Sequence, residues 1–240
     1  MNAAPDCAIV LAAGRGMRLK PLTNDVPKTL LHVARRPILS HIFDALHQGA
    51  GVRHFQIVAG YRATDFDEIS APLDCTLAKV LNESWESTGS LHSLGLCGDF
   101  LSRGCYVVEG DCCFDASLLR AAAPPGSSVW YGRRFHQEDD GCTLWPDVTN
   151  RVTRVTIEKK GGATAQAFKS CGVLRFTPHY GKAVLDWLGR ETGRGHSYEL
   201  VLRDHLNDLP IFLGDAGSAP WQEVDCPDDL ARAETIFGPR

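Results

Sequence analysis

The sequence predicts an α/β fold in which a mixed, mostly parallel sheet is flanked by helices and carries a small β-hairpin insertion. Strand-like and helix-like segments alternate through the first half of the chain, which is the pattern of a parallel sheet covered by helices. The second half contains β-branched runs that favour a hairpin. With 240 residues, 44% of them hydrophobic, the chain can form one large core. We therefore expect a single domain over residues 1–240.

Apolar runs and helical spacing place the elements of the first half. Strands are predicted at residues 7–12, 55–58, 77–81 and 105–109, and helices at residues 37–48 and 91–101. The first helix has apolar residues at helical spacing and is followed by Gly49 and Gly51. The strand at 105–109 places Gly110 and Asp111 at its carboxyl end.

The second half is more mixed. Strands are predicted at residues 128–133 and 169–176, a hairpin at 143–158 with its turn near 146–150, and helices at 179–188, 198–207 and 227–237.

Charge and hydropathy exclude several classes of partner. The formal net charge of -4 gives no overall basic field, so nucleic acid is not expected as a partner. No stretch approaches the roughly 20 apolar residues of a membrane span, and no basic segment precedes a long apolar run at the N-terminus. We expect no membrane partner and a cytoplasmic location. The nine cysteines have no C-x-x-C spacing, which favours buried thiols.

The loop after the first strand holds the strongest motif, in residues 9–31, IVLAAGRGMRLKPLTNDVPKTLL. Gly14 and Gly16 follow the strand, where glycines allow backbone amides to approach a polyphosphate. Such a pair can also simply turn the chain. Leu19 stands where a third Rossmann glycine would be, and no P-loop Gly-Lys-Ser/Thr is present.

From Leu11 to Leu31 the sequence resembles the nucleotidyltransferases of the sugar-phosphate nucleotidyltransferase superfamily, whose loop reads L-A-A-G-x-G-x-R-L-x-P-L-T followed by P-K. The resemblance implies a Rossmann-like, GT-A-like nucleotidyltransferase fold, a nucleoside triphosphate (NTP) as substrate and Mg²⁺ as cofactor. It also implies a set of nucleotide-binding residues in the loop, namely Leu11, Ala12, Ala13, Gly14, Arg15 and Gly16. For Arg15, plain solvent exposure remains an equal alternative.

Electrostatics gives two basic residues of this loop a role. The reaction brings a phosphate or phosphonate dianion to the α-phosphorus of an already anionic nucleotide, so catalysis consists of positioning and charge neutralisation. Arg18, with its rigid charged fork, suits the triphosphate and the departing pyrophosphate. Lys28 suits the incoming phosphoryl group. These two are the predicted catalytic residues.

Two carboxylates are candidates for the metal. Mg²⁺ takes one or two carboxylates, with phosphate oxygens and water completing its shell. In the resembled family, an Asp after a central strand and an Asp late in the chain hold this ion. We assign these roles to Asp111 and Asp225; ordinary surface carboxylates are the alternative for both.

Within the superfamily, the compact chain resembles the phosphocholine cytidylyltransferases and their relatives that act on phosphonates such as 2-aminoethylphosphonate. Gly60-Tyr61 and Ser93-Leu94 carry this resemblance. The phosphocholine branch commonly has paired asparagines before its Ser-Leu, where this chain has Gly89-Ser90. Gly89 and Ser90 remain candidates for nucleotide binding, but a glycine there also resembles the sugar-1-phosphate enzymes, so the choice of pyrimidine is open.

A cationic head group on the acceptor would need a carboxylate and aromatic faces. Glu199, next to Tyr198, falls roughly where the phosphocholine enzymes have an acidic residue. Lys159 resembles a substrate-contacting lysine of the sugar branch, and Trp145 could supply a ring. The alternatives are a first-turn acid for Glu199, a core ring for Trp145 and an exposed hairpin end for Lys159.

Together these features predict an Mg²⁺-dependent nucleotidyltransferase that uses CTP and a small phosphorylated or phosphonate acceptor and releases pyrophosphate. A sugar-1-phosphate nucleotidyltransferase using UTP or another NTP is the nearest alternative. A regulatory protein that binds nucleotides without turnover is an alternative of another class. The oligomeric state is open, with a homodimer as one option.

Overall fold

A nine-stranded sheet is the centre of the fold in the computed structural model, which describes residues 4–162, 166–190 and 197–239. The strands are β1 (Cys7–Ala12), β2 (His32–Val33), β3 (Arg36–Pro37), β4 (His54–Ala59), β5 (Thr76–Leu81), β6 (Tyr106–Glu109), β7 (Cys112–Phe114), β8 (Ser128–Arg134), β9 (Gly141–Pro146), β10 (Val152–Glu158), β11 (Phe168–Arg175), β12 (Ile211–Asp215) and β13 (Trp221–Glu223). The helices are α1 (Ile38–Ala50), α2 (Ser90–Gly95), α3 (Gly98–Arg103), α4 (Pro178–Arg190), α5 (Tyr198–Asp204) and α6 (Pro227–Phe237).

The sheet is mixed and mostly parallel, as the sequence predicts. Its main order is β10-β9-β11-β6-β1-β4-β5, and β8 joins β11 to β12. Strands β5, β4, β1 and β6 are mutually parallel, and β11 is antiparallel to both β6 and β8. Tracing the pairings through the described sheet, β10 and β11 run against all the other strands.

Helices cover both faces of the sheet, which explains why the residues of β1 are apolar throughout. Ala8 and Val10 pack into the cluster that contains α1 and α6. Cys7 and Ile9 point the other way, into the cluster that contains residues of α2, α3, α4 and α5. A strand covered on both faces reads as a continuous apolar run rather than an alternating one.

The predicted hairpin is present as β9 and β10. Its turn is closed by Asp147, whose Oδ1 accepts hydrogen bonds from the backbone amides of Thr149 at 2.8 Å and Arg151 at 3.1 Å. Asn150 adopts the left-handed conformation, with φ of 63°, which asparagine tolerates well.

Three differences from the predicted elements stand out. The helix predicted over 91–101 is two short helices, α2 and α3, because the chain turns between Gly95 and Gly98 and Cys97 donates its backbone amide to Leu94 at 3.1 Å. The prediction also lacks the small pairs β2–β3 and β7–β13 and the parallel strand β12. The last predicted helical turn, 205–207, lies beyond α5. Within the described residues, no helix is both long and apolar enough to span a membrane.

Candidate active site

The candidate site forms where the neighbouring parallel strands β1 and β6 end. Leu11 of β1 pairs with Glu109 of β6, and the backbone amide of Gly110 donates to the Leu11 carbonyl at 2.9 Å. A Cβ atom on residue 110 would lie 2.6 Å from Thr29 Oγ1 and 2.8 Å from that carbonyl oxygen. Only glycine fits, and the loop after β1 therefore lies directly against the segment that carries Asp111.

Gly16 makes the sharp turn of that loop. Its φ of +66° lies in the left-handed region, and a Cβ there would come within 3.1 Å of the Cβ of Lys28, so this position favours glycine on both counts. The hydroxyl of Thr23 donates to the Gly16 carbonyl at 2.8 Å, and Leu19 is fully buried. The turn thereby brings Lys28 beneath the loop.

Lys28 joins the two predicted metal-binding residues. Its Nζ donates to Asp111 Oδ2 at 2.7 Å and also to Asp225 Oδ1. Arg18 reaches Asp225 from outside, with its guanidinium 2.6 Å from Oδ2. The side chain of Lys28 is only 12% exposed, whereas that of Arg18 is 69% exposed. Lys28 is therefore fixed in place, and Arg18 faces the solvent-filled cleft.

The charged groups of this cluster shift one another's pKa values. Burial opposes the charged form of Lys28, but the two carboxylates outweigh it and raise the pKa of the ammonium group. Burial likewise opposes the charged form of Asp111, yet Lys28 outweighs it and lowers the pKa of that carboxyl. Both groups are therefore ionised near neutral pH.

Asp225 arrives from the end of the chain by way of a short strand pair. β13 is antiparallel to β7, and the amide of Val224 donates to the Asp111 carbonyl at 2.9 Å. Asp229 then caps α6, because its Oδ2 accepts from the amides of Asp225 at 3.0 Å and Cys226 at 2.9 Å. This cap fixes the backbone beside the Asp225 carboxylate.

Two adjoining cavities meet at these side chains. The first has a volume of about 310 Å³ and the second about 560 Å³. The first is lined by residues of the glycine loop, including Leu11, Ala12, Gly14, Gly16, Arg18 and Lys28. The border between the cavities is formed by Leu11, Arg18, Gly110, Asp111 and Asp225, which line both. A ligand in one cavity thus abuts a ligand in the other at the two aspartates.

Gly14 lies in the wall of the first cavity, with open space on the side where a side chain would be. A Cβ atom on this residue would find nothing within 4 Å, and the residue lines the cavity wall. The open space beside its backbone is what a polyphosphate bound by main-chain amides requires.

The second cavity is bounded by the hairpin β9–β10, by β11 and by α5. Four of the predicted binding residues line it, namely Leu11, Ser90, Lys159 and Glu199. Tyr198 is buried behind the wall and its hydroxyl donates to Glu109 Oε1 at 3.1 Å. Ser90 also accepts a hydrogen bond from the Tyr198 amide at 3.2 Å, which ties α2 to α5.

Trp145, which the sequence also predicts as an acceptor contact, lies apart from this group. Among the described residues it lines neither cavity. Its Nε1 donates to Thr156 Oγ1 at 2.8 Å, and the guanidinium of Arg154 lies 4.0 Å from the centre of its ring. The ring is thus engaged within the hairpin.

Three predicted nucleotide-binding residues line neither cavity in the described part of the chain. Ala13 is buried and its carbonyl accepts from the amide of Tyr61 at 2.9 Å. The Arg15 guanidinium lies 5.2 Å from the centre of the Tyr61 ring. Gly89 immediately precedes α2.

Sequence reasoning did not identify four polar residues, namely Glu109, Lys169, Glu223 and Asn82. Lys169 bonds Glu223 with 2.8 Å between Nζ and Oε2, and both line the second cavity together with Glu109. The position of Glu109, two residues before Asp111 at the end of an apolar strand, could have signalled it. Asn82, just after β5, is buried and donates to Ser93 Oγ at 3.0 Å and accepts from the Ser84 amide at 3.0 Å.

Burial raises the pKa of several acids in the second cavity. The pKa of Glu109 lies well above its ordinary value because the carboxyl is buried and faces Glu199. Burial also raises the pKa of Glu199. Burial raises that of Glu223 to about 7, although Lys169 favours its ionised form. The cavity therefore concentrates carboxyl groups in a poorly solvated space.

The border residues fit a small divalent cation. Single carboxylate oxygens of Asp111, Glu223 and Asp225 all lie within 4.8 Å of one another. Carboxylate oxygens are the protein ligands that Mg²⁺ prefers. The donor set therefore agrees with the sequence expectation for Asp111 and Asp225 and adds Glu223.

Known proteins are similar to this chain in sequence. A CMP-5′-(3-aminopropyl)phosphonate synthase of Streptomyces rubellomurinus is 29% identical over 259 residues, covering 99% of this chain but only 40% of that protein. A 2-aminoethylphosphonate cytidylyltransferase of Lancefieldella rimae is 25% identical over 236 residues, covering 96% of this chain and 92% of the relative. The chain thus spans less than half of the first relative and nearly all of the second.

A solved structure shows the same fold. The CTP:phosphocholine cytidylyltransferase of Streptococcus pneumoniae superposes with a TM-score of 0.82 at 20% identity, covering 96% of this chain and 98% of that one. A family model described as a MobA-like NTP transferase domain matches residues 8–140, which include the glycine loop, Lys28 and Asp111. The predicted nucleotidyltransferase class is confirmed, and the chain belongs to the family of MobA-like NTP transferase domains.

Proposed function

We propose that the protein transfers CMP from CTP to a small phosphorylated or phosphonate acceptor, releases pyrophosphate, and depends on Mg²⁺. The observation that carries this proposal is the border between two adjoining cavities: Arg18, Asp111 and Asp225 line both, and Lys28, in the wall of the first cavity, bonds both aspartates. The first cavity has the glycine loop suited to a triphosphate. The second has room for a separate acceptor.

The reaction joins an acceptor oxygen to the α-phosphorus of CTP. The bond from that phosphorus to the bridging oxygen breaks, and pyrophosphate leaves with the electron pair. Lys28, fixed beneath the loop, holds the phosphoryl group of the acceptor near the α-phosphorus. Arg18, exposed in the cleft, neutralises charge that develops on the departing pyrophosphate.

Asp111 and Asp225, with Glu223 beside them, would hold the Mg²⁺ ion. Bound there, Mg²⁺ supplies charge neutralisation between the two phosphate groups. The carboxylates also keep Lys28 in place through its ammonium group. The chain's own contribution is therefore positioning and electrostatic stabilisation, with no covalent intermediate.

The names of the relatives support CTP as the nucleotide and this class of acceptor. The relatives described above are named for CMP or cytidylyl transfer to aminoalkylphosphonates or phosphocholine. For its location we retain the prediction of the cytoplasm. All nine cysteines being free thiols supports a reducing compartment.

The test is a matrix of nucleotides and acceptors. CTP, UTP, ATP and GTP would each be combined with phosphocholine, phosphoethanolamine, 2-aminoethylphosphonate and hexose 1-phosphates, with Mg²⁺ or with EDTA, and pyrophosphate release would be measured. We expect turnover with CTP and an amine-bearing acceptor, and none with EDTA. Activity confined to UTP and hexose 1-phosphates would replace the proposal by the sugar alternative. Nucleotide binding without any turnover would support the regulatory one.

A further inference from the structure

The second cavity is strongly acidic. Its lining contains seven carboxylate side chains and three basic ones. Two of the basic side chains are already paired, Arg18 with Asp225 at 2.6 Å and Lys169 with Glu223 at 2.8 Å. An acceptor with only anionic groups would be repelled beyond the border cluster. The far wall of this cavity therefore suits a cation.

Glu109 and Glu199 form the acidic part of that wall away from the border. Glu109 accepts a hydrogen bond from the Tyr198 hydroxyl at 3.1 Å, and both carboxylates line the cavity. No described Lys, Arg or His nitrogen lies within 4.0 Å of either carboxyl group; Lys169, which bonds Glu223, is the basic side chain that acts on both from a greater distance. These carboxyl groups lie in a poorly solvated wall, where ionisation has a cost that a cationic ligand would offset.

Aromatic rings are missing from the described lining of the same cavity. The nearby rings are engaged elsewhere: Trp130 is fully buried and donates to Ser170 Oγ at 2.9 Å, and Trp221 lies beneath Arg133 at 5.0 Å from its ring centre. Trp145 is covered by Arg154.

These two features separate two kinds of cationic head group. A quaternary ammonium has no N–H donor and is recognised by aromatic faces. A primary ammonium has three N–H donors and is satisfied by carboxylate and hydroxyl oxygens. Carboxylates without rings favour the second kind.

We propose that the acceptor carries a primary ammonium group at the end of a short alkyl chain, and that Glu109 and Glu199 bind this ammonium. This inference rests on the proposed function and names its substrate class. The acceptor is then a zwitterion, with its ammonium at the acidic wall of the second cavity and its phosphonate or phosphate group at the border, beside the aspartates that Lys28 bonds from the first cavity. Trimethylated acceptors would place three methyl groups against carboxylates and lose all three hydrogen bonds.

The first experiment compares acceptors that differ only in N-methylation. Phosphoethanolamine would be compared with phosphocholine, and 2-aminoethylphosphonate with its N-trimethyl derivative, using CTP and Mg²⁺. We expect kcat/KM to be at least about 10-fold higher for each primary amine. Equal or better use of the trimethylated acceptors would overturn the inference while leaving the proposed function intact. Turnover of hexose 1-phosphates alone would overturn both.

The second experiment isolates the charge of Glu199. Glu199→Gln would be assayed with 2-aminoethylphosphonate and with propylphosphonate, in which a methyl group replaces the ammonium. We expect KM for the amine to rise at least about 10-fold and KM for propylphosphonate to change little. Glu68→Gln, at an exposed position, is the matched control.

An equal loss with both acceptors would assign Glu199 a structural role and overturn the inference. Thermal unfolding and CTP titration of the variant show whether the fold and the first cavity are preserved. If the variant does not fold, the comparison of methylated and unmethylated acceptors with the natural chain decides the question.

Discussion

Lys28 and Asp111 stand 83 positions apart in the sequence, and the ammonium nitrogen of Lys28 lies 2.7 Å from a carboxylate oxygen of Asp111. The chain leaves β1 through the glycine loop toward α1 and β4 on one side, while β6 lies on the other side of β1. This point of reversal in strand order is where open α/β sheets bind ligands. The ion pair therefore marks the site that the fold itself creates.

Replacing Lys28 by alanine should reduce both stability and acceptor use. The change leaves Asp111 and Asp225 close together and largely buried without their shared cation, so we expect a loss of about 3 kcal/mol in the free energy of unfolding at neutral pH. Urea denaturation measures it, with Lys182→Ala at an exposed site of α4 as control. Equal stability of the two variants would contradict the structural part of this prediction.

Asp111→Asn should abolish turnover and preserve the fold. The amide keeps the shape of the carboxylate, and Lys28 retains its bond to Asp225, but one of the two carboxylates that we propose to hold Mg²⁺ is lost. Metal stabilisation of several kcal/mol corresponds to a loss of about 1,000-fold in kcat. Pyrophosphate release and circular dichroism are the measurements, with Asp99→Asn, an exposed acid, as control. An active Asp111→Asn enzyme would remove our metal assignment.

Gly14→Ala should weaken CTP binding without affecting stability. The new methyl group meets no protein atom within 4 Å but extends into the first cavity, where it would hold the triphosphate away from the backbone amides. We expect the Kd for CTP with Mg²⁺ to rise about 10-fold, equivalent to one lost hydrogen bond. Gly189→Ala is the matched control, because its Cβ also meets nothing within 4 Å. Calorimetric titration giving the same Kd for both variants would place the triphosphate elsewhere.

Asn82→Ala should loosen the segment that leads to Gly89 and α2. Its amide nitrogen donates to the Thr88 and Ser93 hydroxyls at 3.1 and 3.0 Å, and its oxygen accepts from the Ser84 backbone amide at 3.0 Å; removal takes a donor from the buried Ser93 hydroxyl and an acceptor from the Ser84 amide. We expect a loss of about 2 kcal/mol in stability and a higher KM for CTP. Asn207→Ala, at an exposed site, should show neither effect. An unchanged KM would separate this loop from nucleotide binding.

Glu223 should make stability decline as pH rises toward 7. Burial and the neighbouring Asp111 and Asp225 raise its pKa to about 7, against the pull of Lys169. Between the ordinary carboxyl pKa and that value, the folded chain holds a proton that the unfolded chain has lost, so stability from this group is present at low pH and lost as pH rises through about 7.

Glu223→Gln should remove that dependence. The difference in unfolding free energy between about pH 5 and about pH 8 should be smaller in the variant than in the natural chain by about 2 kcal/mol. Urea titrations at the two pH values measure it, and Glu68→Gln should match the natural chain. Equal pH dependence in the variant and the natural chain would show that Glu223 has an ordinary pKa.

The glycine loop and the main sheet could be predicted from the sequence because each depends on a short, continuous pattern of residues. The apolar run of β1, the glycines after it and the Asp after β6 each follow from which backbone positions a parallel sheet buries or exposes. The family resemblance then joined Asp225 to Asp111, which no spacing could do.

The second cavity was harder to predict because its polar residues lie within apolar strands. In the sequence, Glu109 and Lys169 are simply polar residues at the ends of two predicted strands. They line the same cavity only because β6 and β11 pair in the folded sheet. The ring of Trp145, a predicted acceptor contact, lies against Arg154 across the hairpin and outside the described lining of both cavities. Such pairings depend on contacts between distant segments, which composition and periodicity do not encode.

The pairing of β13 with β7 has a consequence during synthesis of the protein. Lys28 and Asp225 are 197 positions apart, so a growing chain that has already built the first four parallel strands still lacks one carboxylate of the cluster. β13 must emerge from the ribosome before it can pair with β7 and close the cluster. Incomplete chains that end before this strand are therefore expected to be inert toward CTP and acceptor alike.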